Sequence, residues 1–64
     1  MKWIPLSERT PEESRWVLVT TEQDYGYKMV RLCFFDKHTH QFEDNGYPIA
    51  LYRVLAWMPV PDPY

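Results

Sequence analysis

The chain has 64 residues, with seven basic and nine acidic side chains for a net charge of −2, a single cysteine and 17% aromatic residues. A chain of that length makes one domain, residues 1–64, which hides only about 60% of the surface its unfolded form exposes, and one thiol excludes a disulfide framework. The near-balanced charge, with no like-charge run longer than two residues, excludes a nucleic-acid or anionic-membrane footprint, and no apolar stretch approaches the ~20 residues of a membrane span. A free thiol fits a reducing, cytoplasmic setting. With so little chain, the core must be built from large rings, each removing roughly 150–250 Å² from water when buried.

Trp3-Ile4-Pro5 opens the chain as an extended segment and is echoed by Trp57-Met58-Pro59 near the other end. The prolines stiffen both stretches, and the two indoles are expected to pack over the open ends of the core as its closing seam. A docking role for "PVPDP" fits less well, because its proline spacing of two is not the P-x-x-P period that polyproline grooves read. In "TPEES", Thr10 as cap, Pro11 at the first helical position and Glu13 at the capping-box spacing predict a single helical turn. "RWVLVTTE", Arg15 to Glu22, is apolar on both faces and rich in β-branched and aromatic residues, which predicts a central strand covered on both sides.

Asp24 and Gly26 then supply a turn. In the next strand, "YKMVRLCFF", Val30, Leu32 and Phe34 share one face, read as core, and Met29, Arg31, Cys33 and Phe35 share the other. "DKHT" predicts a hairpin turn into a short strand from His38 to Phe42, and Asn45-Gly46 a stronger turn, since both residues accept positive φ. A last strand, Leu51 to Met58, alternates Tyr52, Val54 and Ala56 toward the core with Arg53, Leu55 and Trp57 away from it. Pro59, Pro61 and Pro63 end ladder pairing and leave an extended tail. The fold class is all-β: a small antiparallel meander of about four strands, curled or partly barrelled, with one short N-terminal helical turn.

Few constellations here carry chemistry. Ser7 and Ser14 have no histidine near them in sequence, the glycines sit in turns, and the acidic pairs Glu12-Glu13 and Glu43-Asp44 read as solvated connectors, so no catalytic residues and no cofactor are expected. His38 and His40, two apart and near Cys33 and Asp36, fall short of the four ligands of a structural zinc, and no metal is expected. The informative feature is the second face, formed by Met29, Arg31, Phe35, Arg53, Leu55 and Trp57. It is too apolar for water alone, and two arginines among rings suit a binding surface, so these six residues are the expected partner or ligand contacts. Either the N-terminal "WIPL" segment and the proline tail cover it within the chain, or its occupant is a second copy in a homo-oligomer, a host protein, or a small anionic ligand.

"WIPLSERTPE" at the start, Val17-Leu18-Val19 within and "WMPVPDP" at the end together resemble the DUF551 family, short proteins of unknown function found largely in tailed phages and prophages. The usual family histidine before the terminal Trp is Ala56 here, so no role for it carries over. The resemblance implies a phage-borne accessory protein of the bacterial host cytoplasm with no assigned activity. The functional expectation is a non-enzymatic binding protein that occupies or sequesters a host component; the alternative is an assembly protein whose sheet face serves only homo-oligomerisation.

Overall fold

A computed structural model describes residues 2–61. Asp62 and Pro63 of the proline-rich end lie outside the described residues. Six antiparallel strands form one sheet: β1 (Ile4–Pro5), β2 (Arg15–Glu22), β3 (Lys28–Asp36), β4 (Gln41–Asp44), β5 (Tyr47–Ile49) and β6 (Val54–Pro59), in the order β1-β6-β2-β3-β4-β5. Among the described residues the only helical pieces are 3₁₀ turns at Asp24–Gly26 and Leu51–Arg53, and no helix is long and apolar enough to cross a membrane.

The all-β class stands, with six strands where four were expected. β1 and β5 are two and three residues long and each contains a proline, Pro5 and Pro48, which demotes such runs when read from sequence but is tolerated at a sheet edge. β2 to β5 run as a meander. β6 departs from it, returning to insert between β1 and β2, with Ile4 opposite Trp57 and Val19 opposite Trp57 on its other side. The two tryptophan–proline segments are therefore neighbouring strands, and Leu6 N–H extends their ladder to the Leu55 carbonyl at 3.0 Å. Trp57 is 4% exposed and donates its indole N–H to the Arg9 carbonyl at 2.9 Å, closing the seam. Trp3 remains 37% exposed and takes no comparable place.

The predicted helical turn at Thr10 is absent. The turn falls earlier, where Glu8 and Arg9 N–H groups reach the Pro5 carbonyl, and Thr10 to Ser14 form an irregular connector in which Pro11 is buried. Tethering of the Arg9 carbonyl by the Trp57 indole holds the connector against the sheet in place of a helix. The strand expected from His38 begins only at Gln41. Asp36 Oδ1 accepts the His38 N–H at 2.9 Å and the Asp36 carbonyl accepts the His40 N–H at 2.8 Å, so His38 and His40 belong to the turn and stand exposed. Asn45 and Gly46 take φ of 58° and 85°, making the tight two-residue turn expected of them.

The assignment of faces is reversed in β3 and holds in the last strand at Val54, which is buried as expected. Val17, Val19, Cys33, Phe35 and Phe42 are completely buried, with Val54 and Trp57 beside them, whereas Val30 and Leu32 are 60% and 53% exposed and Tyr52 is 82% exposed. The sequence permits either parity, because both faces of β3 carry large apolar residues. Curvature decides between them. Ile49 of β5, Thr21 of β2 and Arg53 at the entry to β6 line one hollow, although flat strands at about 4.8 Å spacing would hold β5 and β6, four places apart, roughly 19 Å from each other. The sheet thus curls about one face without closing, and among the described residues β2 is fully covered on that face and only partly on the other, where Trp16 is 56% exposed but Met58, opposite Leu18, is buried. A register shift between Thr20 and Thr21 lets Leu55 bulge out, so that Val54 falls on the same face as Trp57.

Candidate functional site

The curl leaves a groove of about 460 Å³ at one end of the core face. β2 contributes Thr21, β3 Arg31, β4 Asp44, the tight turn Asn45, β5 Tyr47 and Ile49, and the 3₁₀ turn before β6 contributes Arg53; Gln23 closes the rim. Arg31 sits opposite Val19 in register, so its stem runs over the core while its head reaches the groove. There Nη1 donates to Asp44 Oδ2 at 2.6 Å, and Nη2 has only the Met29 sulfur at 3.6 Å. Arg53 is held more loosely, donating to Asp24 Oδ1 at 3.3 Å, the Glu22 carbonyl at 3.4 Å and Gln23 Oε1 at 3.5 Å. Contact with Tyr52 first, and Asp24 second, pushes its guanidinium above its already high ordinary value, so it stays charged throughout.

Thr21 is the unusual member. It is 1% exposed, and among the described residues its Oγ1 is the buried side-chain polar atom without a hydrogen-bond partner. Burying a hydroxyl in that way costs about 1–3 kcal/mol. Cys33 lies deeper, its thiol pushed from an ordinary 9.0 to about 11 by burial and then by Asp44, against a smaller opposing pull from Arg31. It is a packed side chain rather than a nucleophile.

A second feature lies on the outer face. Register places Trp16 opposite Phe34, and Leu18 opposite both Leu32 and Met58, so a continuous apolar strip crosses β6, β2 and β3. Trp16 and Phe34 meet edge to face at 5.4 Å, and a hollow of about 440 Å³ opens beside them toward Glu43 and Gly46. Along β3 this face reads Lys28, Val30, Leu32, Phe34, Asp36: a cation at one end, an anion at the other.

Of the six expected contact residues, Arg31 and Arg53 come together in the groove, with half-buried Met29 against Arg31. Phe35 and Trp57 are core and present no surface, while Leu55 bulges away. Thr21, Gln23, Asn45 and Tyr47 were missed, as were Trp16 and Leu32. Only Thr21 leaves a signal in the sequence, as the polar residue that continues the Val17–Val19 alternation. Among the described residues no group of three His, Cys, Asp or Glu side chains stands close enough to hold a metal ion.

A family model for proteins of unknown function, DUF551, matches residues 2–63. The chain belongs to the DUF551 family. The match covers both tryptophan–proline segments, so the β1–β6 seam of this DUF551 protein is built from matched residues at either end. No curated protein and no solved structure matched it.

Proposed function

We propose that this DUF551 protein is a non-enzymatic binding protein of a phage or prophage, working in the host cytoplasm by occupying a host protein through the outer face of its sheet. The observation that carries this reading is the strip of Trp16, Val30 and Leu32, each more than half exposed, continuous with half-buried Leu18 and Phe34 and bounded on the β6 side by buried Met58. Isolated apolar side chains on a surface are ordinary, but a contiguous strip with a tryptophan is the composition that interface centres favour. The non-enzymatic part rests on the nucleophiles at hand. Cys33 is buried with a raised pKa, and Ser14 Oγ accepts the Lys37 N–H at 2.9 Å as a structural bond.

The test is native mass spectrometry of the protein purified gently from host lysate, beside a Leu32→Glu variant. A protein partner that is retained by the wild type and lost from the variant supports the reading; a partner retained equally by both, or none with either, removes it. One observation favours a second reading, in which the face serves self-association. Leu32 is midway between Lys28 and Asp36, so a two-fold axis beside it would lay two β3 strands antiparallel, cation over anion. Light scattering should then show a dimer that Lys28→Glu breaks and the double swap with Asp36→Lys restores.

A further inference from the structure

The groove between Arg31 and Arg53 opens on the core side of the sheet, sharing Asp44 and Asn45 with the hollow of the outer face, and it has the construction of a ligand site. We propose that it binds a small organic carboxylate with a flat or apolar body. Its volume of about 460 Å³ lies within the range of roughly 300–1,000 Å³ typical of small-molecule sites. Arg31 is tightly paired with Asp44, whereas Arg53 is paired at 3.3 Å with Asp24, an exposed side chain outside the lining, so one incoming carboxylate can take Asp24's place without upsetting the charge balance. A phosphate monoester, carrying about −1.5 to −2 at neutral pH, overshoots that balance beside Asp44.

The donors are also free to act. Among the described residues Arg31 Nη2 faces a thioether, a weak acceptor, and Arg53, lying over the Tyr52 ring, donates to Asp24, the Glu22 carbonyl and Gln23 at 3.3 Å or longer. Both guanidiniums thus keep hydrogen-bonding capacity for an incoming anion, while Tyr47, Pro48, Ile49 and Ala50 supply a less polar wall for the body of the molecule. Thr21 decides the matter. A buried hydroxyl without a partner is a standing cost to the fold, and it lines this groove. A turn of the Thr21 side chain that brings Oγ1 from its sealed position into the groove lets a carboxylate oxygen accept from it and removes that cost, so the same atom weakens the free protein and strengthens the complex.

The opposite signs make the test. Backbone amide shifts of the full chain are followed by NMR during titration with benzoate, phenyl phosphate and inorganic phosphate. Benzoate should give saturable shifts at Thr21, Asn45 and Tyr47. Thr21→Val should raise the melting temperature and weaken benzoate about tenfold, and Arg53→Gln should weaken it without the gain in stability. A residue with a purely structural role would move the melting temperature alone. Absence of saturable shifts with benzoate, or unchanged affinity in Thr21→Val, overturns the site. Tighter binding of phenyl phosphate than of benzoate overturns the carboxylate assignment.

Discussion

On one face of β2 and β3, Val17, Val19, Cys33 and Phe35 are completely buried; on the other face of the same two strands, Trp16, Val30 and Leu32 stand 56%, 60% and 53% exposed. The two sets differ little in hydrophobicity. What separates them is the direction in which the sheet curls and the side taken by Leu6 and Ile4, which pack on the Val17–Val19 face. In so small a domain there is one layer of sheet and enough remaining chain to cover one side of it. Apolar content alone therefore does not identify a core: the outer strip is equally apolar, yet among the described residues only its β6 end, at Met58, is buried.

Truncating one tryptophan on each face gives the largest contrast. Trp57→Ala should cost about 3–5 kcal/mol, most of the stability available to a domain of this size, and Trp16→Ala less than about 1 kcal/mol, as read by chemical denaturation. Equal losses would show that the outer face is covered in solution.

The next effect comes from the buried thiol. The folded state holds the Cys33 proton more tightly than the unfolded chain does, so this contribution is complete below pH 9.0 and is lost as pH rises toward about 11. At 1.36 kcal/mol per pKa unit, roughly 2–3 kcal/mol is involved. The alkaline decline should be steeper in the wild type than in Cys33→Ala; parallel declines would show that Cys33 is not its source.

Gly46→Ala comes third. The added methyl meets nothing within 4 Å, so only the positive φ of 85° is penalised, by about 1 kcal/mol. Smallest for the fold is Leu32→Glu on the outer strip, which should leave the melting temperature within about a degree or two while abolishing association. A large loss of stability there would place Leu32 in a covered core after all.

Much of this architecture is legible in the residues. The limits of β2, the following strand and the Asn45-Gly46 turn all follow from local chemistry, and Arg31 with Arg53 was correctly placed on one face. Parity was not legible, since the alternation in β3 offers two apolar sets and local pattern cannot choose between them. Two further features were hidden for the same kind of reason: a bulge at Leu55 shifts the parity of β6 partway along, and Pro5 and Pro48 mask strands that exist only because a longer neighbour pairs with them. The groove depends on these features, so of its residues the two arginines were anticipated and Thr21 alone left a further signal in the sequence.

The return of β6 to lie against β2 also sets an order of events in time. β2 through β5 can zip together through short loops, whereas pairs such as Val19 with Trp57 must close across most of the chain, and that loop entropy is lost before any contact repays it. Until β6 docks, β2 presents an unpaired edge beside an exposed apolar strip, the form most open to sticking to other chains. Substitutions in β6 should accordingly accelerate unfolding and leave the folding rate nearly unchanged, whereas those in the β2–β3 hairpin should slow folding itself. Life as a free monomer is thus governed by how long the last strand stays in place.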